Sequence, residues 1–282
     1  MWSGASGVHG TERQDGSWAL PEGLERAIRG TAEEIALLVR NAGDTALAVP
    51  GSEWTVGEVA AHLAVANELM ADLAAGRERP YGDGTPQSLA AANAESLAVF
   101  TERRAEPLAT MITEQCERFL DALARSAADG QAPATPLGLM NRSVLASYLL
   151  THMLGHGYDL ARALKRPHMV DAARVGLCMP FMLSVMPRVA DPAATAGLEA
   201  RYRIRLRGGE TFGVSLADGV VRVSPGSDLR GVDCTIRLDP VAFLLIALGR
   251  LDPWRAIARG QVLAWGRRPW LGPRFPTLFT AP

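Results

Sequence analysis

The chain has 282 residues, enough for one large domain or two ordinary ones, and 48% of them are hydrophobic against 21% charged, which excludes a disordered chain. Its 29 basic and 30 acidic side chains leave a formal net charge of -1; no lysine- or arginine-rich block stands out, which disfavours a nucleic-acid partner. Three scattered cysteines, Cys116, Cys178 and Cys234, show no CxxC spacing and fit buried thiols of a reducing compartment rather than a disulfide framework.

Residues 1–19 lack the positive region and apolar run of a secretory signal, and they read as a disordered leader. From Leu20 to Val39, apolar residues at Leu24, Ile28, Ile35 and Leu38 keep close to a 3.6-residue period and predict one amphipathic helix. After a loop with Pro50 and Gly51, Thr55-Val56-Gly57-Glu58 matches a capping box and opens a helix running to about Ala75. Thr85-Pro86 starts a long helix, broken at Pro107 and ending near Ala128. Gln131 to Pro136 reads as a loop, and Asn141 then caps a helix that reaches about Leu164, with Pro167 ending it.

A methionine-rich apolar helix follows over Val170 to Val189, where Met179, Met182 and Met186 are expected to fill a core rather than line a channel. Its apolar stretch, Val175 to Met186, is too short to span a membrane and is interrupted by Pro180, so the chain is expected to be cytoplasmic. Residues 191–198 read as a linker, because the pattern changes after them. Tyr202 to Arg207 alternates strictly, Phe212, Val214 and Leu216 continue after a Gly208-Gly209 turn, and Val220 to Val223 follow an Asp218-Gly219 turn. Val232, Cys234, Ile236 and Leu238 form a fourth such run, and Asp239-Pro240 starts an apolar helix ending near Gly249. The expected layout is a helical bundle over 20–190, the linker, and a small antiparallel sheet with helices over 199–282. No internal repeat is visible.

His152 and His156 lie four apart in the best-defined helix, a spacing that puts two side chains on one face about 5–6 Å apart at their β-carbons. Two imidazoles so placed can bind one metal ion. His62, embedded in Val59-Ala60-Ala61-His62-Leu63-Ala64, is a polar group on an apolar stretch and needs a partner there. A hydrogen bond in the core would satisfy each ring singly; one shared metal would satisfy all three. Asp159 follows on the same face and is placed to accept the second ring N–H of a ligand histidine. Met153 stands where a metalloprotease motif needs its glutamate, so peptide hydrolysis lacks its base. Three protein ligands leave a coordination position open, an arrangement suited to ionising a bound thiol. His9, in the leader, and His168, in a loop after Pro167, are not expected to be ligands.

Trp54 to Ala64 and Thr151 to Ala161 resemble the two ligand-bearing helices of the mycothiol-dependent maleylpyruvate isomerase family, within the wider DinB-like four-helix bundles. Leu248-Gly249-Arg250-Leu251-Asp252-Pro253-Trp254-Arg255-Ala256-Ile257 and Gly260 resemble the sterol-carrier-like (SCP2-like) C-terminal domain of the same proteins. The resemblance implies zinc on His62, His152 and His156, and mycothiol bound near it in a cleft between the domains. In the isomerase itself glutamate holds the position of His152, which puts the specific isomerase activity in question while leaving metal binding intact. Nickel or iron would also suit imidazole ligands.

Tyr148, one turn before His152, and Arg250 and Arg255 are candidates for contacting substrate; Arg267 and Arg268 are further cations that could meet an anionic one, with solvated surface charge as the simpler reading. Trp54, Trp254, Trp265 and Trp270 are expected in core or interdomain packing. The expected activity is thiol transfer or isomerisation of a small electrophilic substrate, the metal-bound thiolate of mycothiol acting as nucleophile. The expected partners are small molecules, with no nucleic acid and no membrane, and the chain is a monomer or homodimer. The alternatives are a non-enzymatic lipid or small-molecule binder, and a biosynthetic enzyme that reuses the fold without a thiol.

Overall fold

Two helices of the first unit begin at a side chain that caps them, Thr55 and Asn141. The structure is a computed structural model that describes residues 20–280 other than 78, 84, 126–133, 136, 227 and 228. Its first helices are α1, Leu24–Arg40, and α2, Val56–Ala74. Thr55 closes the capping box: its hydroxyl oxygen accepts the Glu58 amide, and a Glu58 carboxylate oxygen accepts the Thr55 amide at 2.7 Å. The Asn141 side chain likewise accepts the Val144 amide at 2.9 Å ahead of a later helix at Arg142–Ala163. The leader expected over 1–19, His9 with it, and most of the loop expected at Gln131–Pro136 lie outside the described residues.

Between these caps run α3, Leu89–Val99, and α4, Ala105–Arg125, followed by a short antiparallel pair, β1 at Ala134–Thr135 and β2 at Gly138–Leu139. The break expected at Pro107 falls earlier, between α3 and α4. Pro107 itself sits in the first turn of α4, where its missing N–H costs no helical bond. Arg103 secures the break by donating to the carbonyls of Leu97 at 3.0 Å, Phe100 at 2.6 Å and Glu102 at 2.8 Å, two of which end α3 without a helical partner.

The helix at Arg142–Ala163 is α5. It packs on α1 and α2, and α4 packs on the same two, so α1, α2, α4 and α5 make a four-helix bundle. Gly157 permits the close approach of α5 to α1: a Cβ there would meet the Met169 sulfur at 2.7 Å and Ile35 at 3.1 Å. Arg29 with Glu117 and Arg40 with Glu106 tie α1 to α4 on the outside.

The chain folds as two units that divide between Met169 and Val170. The methionine-rich helix α6, Ala172–Val185, therefore belongs to the second unit and packs on a helix of that unit, although composition placed the break after residue 190. Its Met179 and Met182, and Met186 just beyond it, are buried, as core filling requires. The expected linker over 191–198 contains one helical turn, α7 at Pro192–Thr195, capped by Asp191.

A five-stranded sheet forms the rest: β3 Ala200–Leu206, β4 Thr211–Ala217, β5 Val220–Pro225, β6 Cys234–Leu238 and β7 Val262–Gly266, in the order β5-β4-β3-β6-β7. The expected antiparallel sheet is in fact mixed, because the central pair β3–β6 runs parallel. Asp218 and Gly219 both have positive φ, 52° and 74°, the turn that matches strand twist between β4 and β5. Helices α8, Pro240–Ala247, α9, Pro253–Ala258, and α10, Leu271–Arg274, complete the unit. Tyr202, Ile204, Phe212, Val214 and Ile236 bury one sheet face, with Phe243 of α8 edge-on to Phe212 at 6.1 Å between ring centroids.

Trp254, Trp265 and Trp270 are 65%, 43% and 66% exposed, which corrects the expectation that they pack in the interior. Trp265 lies on β7, a strand the alternation did not reveal. Its register partner is Thr235, so it points away from the buried face that holds Ile236.

Candidate metal centre

Two capped helices of the first unit bring three imidazoles together. His62 stands on α2, and His152 and His156 stand one turn apart on α5. The ring centroids of the trio lie 4.7–4.9 Å apart, and one donor nitrogen from each ring falls within 4.8 Å of the others. The Nε2 atoms of His62 and His152 face each other at 2.9 Å. Ligands about 2.0–2.1 Å from one cation are separated by roughly 3.3 Å in a tetrahedron and about 4 Å when opposed, so the cluster has the size of a single-ion site. His62 is buried and the other two are half-buried, among apolar neighbours that include Leu63, Leu149, Met153 and Leu154. Three imidazole nitrogens on two helices are a donor set that suits zinc, nickel or iron.

Asp159 lies where the spacing puts it, with Oδ2 at 3.6 Å from His156 Nδ1. That distance is ion-pair range and longer than a hydrogen bond. With Nδ1 turned to the carboxylate, His156 has Nε2 left for a cation.

Trp54 belongs to this site and not to general packing. Its ring lies 5.0 Å from His62 and is stacked on His156 at 6.1 Å with 26° between planes, so it touches a ligand ring on each helix. The backbone holds it in place: the Trp54 amide donates to Ser52 Oγ at 3.1 Å, and its carbonyl accepts the Val49 amide at 2.9 Å. The available signal was positional, since a large apolar residue just before an N-cap folds back over the first turns of its helix.

Tyr148 sits one turn before His152, its ring edge-on at 6.4 Å. Burial, reinforced by the nearby Tyr81 phenol, pushes its hydroxyl well above the usual tyrosine pKa, so it stays protonated and able to donate. Tyr81 in turn donates to Asn93 of α3 at 2.6 Å. Arg250 and Arg255 lie in the second unit. Arg250 donates to the Leu248 carbonyl, and Arg255 is exposed, with its amide capped by Asp252 at 2.9 Å. His168 stands beside Tyr158, 5.2 Å between rings, outside the trio.

All three cysteines are free and buried. Burial pushes the Cys116 thiol up to about 12 and the Cys234 thiol up to about 11, so neither supplies a thiolate near neutral pH. Among the described residues no helix is long and apolar enough to cross a membrane.

Residues 28–161 match the mycothiol maleylpyruvate isomerase N-terminal domain, a span that holds all three histidines, and residues 185–266 match the SCP-2 sterol transfer family. Among solved structures, the mycothiol-dependent maleylpyruvate isomerase is 12% identical, with a TM-score of 0.49 covering 87% of this chain and 93% of that one. A histidine-to-alanine mutant of that enzyme is also 12% identical and covers the same shares, with a TM-score of 0.50. Sterol carrier protein 2 from Yarrowia lipolytica, in its apo form, is 17% identical over 32% of this chain and 88% of that chain, with a TM-score of 0.25. At 12% identity and a TM-score of 0.50 the likeness to the mutant enzyme is one of fold alone. No curated protein matches the sequence.

Proposed function

Because residues 28–161 match the mycothiol maleylpyruvate isomerase N-terminal domain and residues 185–266 an SCP-2 domain, we propose that the chain is a zinc-dependent enzyme using mycothiol to isomerise, or to transfer its thiol to, a small electrophilic substrate. The observation that carries the reading is the convergence of His62, His152 and His156 from two helices within the matched span. A divalent cation held by three neutral imidazoles would keep its full charge and supply the Lewis acidity that ionises a thiol at neutral pH.

The remaining work falls to the chain itself. Its own cysteines are buried, and burial pushes the Cys116 and Cys234 thiols up, so in this reading the nucleophilic sulfur arrives as a cosubstrate. Asp159, 3.6 Å from His156 Nδ1, would accept that N–H on a small closure, and Trp54 packs against the rings of His62 and His156. Tyr148, one turn from His152, would line the same site beside the substrate.

Elemental analysis of the purified protein tests the metal: one equivalent of zinc is expected, and His62→Ala and His156→Ala should each lose it. Full retention in both variants overturns the site. Calorimetric titration with mycothiol tests the thiol separately. Binding to the loaded protein and not to the stripped protein is expected, and no binding to the loaded protein removes the thiol from the reading.

A further inference from the structure

The near-zero net charge conceals a division between the units. From Val170 onward the chain has 15 arginines and no lysine against 9 acidic residues, whereas up to Met169 it has 14 basic and 21 acidic residues. Strand register gathers much of the positive charge. Arg201, Arg203 and Arg205 alternate along β3; Arg205 pairs with Arg237 of β6, and Arg222 of β5 pairs with Ser215, which itself opposes Arg201. These five side chains share the sheet face opposite Tyr202 and Ile204. Within the strands no position on their face carries a carboxylate; Asp233, just before β6 and beside Arg201, is buried and ion-paired with Arg267 at 2.7 Å. Arg205, Arg222 and Arg237 are exposed and form no ion pair among the described residues, while Arg201 and Arg203 donate to the Arg230 and Leu229 carbonyls. At the β7 edge of the same face, Leu263 opposite Arg237 and Trp265 opposite Thr235 are 53% and 43% exposed.

We propose that this outer face of the second unit docks on an anionic lipid surface, the arginines meeting headgroup phosphates while Leu263 and Trp265 enter the interfacial layer. A plane of phosphates can meet the three exposed guanidiniums of Arg205, Arg222 and Arg237 at once, and guanidinium matches phosphate bidentately. An outward leucine beside an outward tryptophan suits the headgroup boundary, where tryptophan keeps its ring apolar and its N–H wet. Single-stranded nucleic acid fits less well, because a sheet that reads bases puts aromatic rings on its central strands, and here β3 and β6 offer arginine and threonine. The buried sheet face, against which α8 packs, takes no part.

Co-sedimentation of the full chain with vesicles tests this. Binding is expected to phosphatidylcholine vesicles containing one-third phosphatidylglycerol and not to phosphatidylcholine alone, with loss at high salt. Each of Arg205→Gln and Arg237→Gln should weaken binding about fivefold, and the double change to glutamate should abolish it. Trp265→Ser should weaken binding and remove a blue shift in tryptophan emission, and circular dichroism melting should show each variant folded. No binding, equal binding to both vesicles, undiminished binding by the double glutamate variant, or binding of a single-stranded oligonucleotide in place of vesicles would each overturn the proposal.

Discussion

The two units keep their chemistry in opposite places. In the bundle the informative residues are polar groups set in apolar runs, where His62, buried, and His152 and His156, half-buried, converge on one point. In the sheet unit they are apolar and basic groups left outside, where Trp265 and the arginines of β3 face solvent. A helix hides a polar side chain by turning it toward a partner helix, whereas a strand shows both of its faces every second residue. The first unit is therefore read from its anomalies inside, and the second from its anomalies outside.

Metal removal should separate the units most sharply. If only the bundle holds the ion, chelation should lower the melting temperature of the first unit and leave the second unchanged. Saturation at about a thousand times the dissociation constant contributes roughly 4 kcal/mol. Differential scanning calorimetry with and without chelator reads this directly. Equal shifts of both units would mean that the ion, or the coupling, reaches beyond the bundle.

Packing should give the next largest effect. Gly157→Ala puts a Cβ at 2.7 Å from the Met169 sulfur and 3.1 Å from Ile35, which should cost the bundle about 1–3 kcal/mol in a denaturant melt. The sulfur can swing aside, so a cost below about 0.5 kcal/mol would show that α1 and α5 are not in the tight contact described.

Trp54→Ala should follow, weakening metal affinity about tenfold in a chelator competition, at the low end of what groups that orient ligands contribute. Trp54→Phe should recover most of it, because a flat ring still stacks on His156. Unchanged affinity in the alanine variant would return Trp54 to ordinary packing.

The legibility of each region follows from the same contrast. Thr55, Asn141 and Asp239 announced their helices because a cap is a local bargain between one side chain and the next turn. The trio could be suspected because each histidine stood in an apolar run. Trp54 offered only its place before the N-cap, since its contact with His156 joins residues about a hundred apart in sequence. The parallel β3–β6 pair escaped because strand direction depends on the connection and not on alternation, and β7 escaped because Val262-Leu263-Ala264-Trp265 carries no polar face to alternate with. The break before α4 depends on Arg103 reaching back to Leu97 and Phe100, a tertiary use of a residue that reads as surface charge.

The smallest effect isolates one charge at the start of α2. Glu58 accepts the Thr55 amide and hydroxyl, and the backbone hydrogen bond foremost holds its carboxyl below the ordinary glutamate value of 4.5. A depressed folded pKa means that the carboxylate's contribution is fully present above the unfolded value and is lost as pH falls through the folded one. Glu58→Gln keeps an acceptor at the capping box and removes the charge that favours a helix N-terminus, so it should cost about 0.3–1 kcal/mol at neutral pH. That difference should shrink only below pH 4.5 and vanish once the wild-type carboxyl is protonated. Acid also protonates the three histidines and releases any metal, but it does so in both proteins, and comparing variant with wild type at each pH cancels that loss. A difference that stayed constant down to pH about 2 would mean that the capping box works through shape alone, with no part played by the charge.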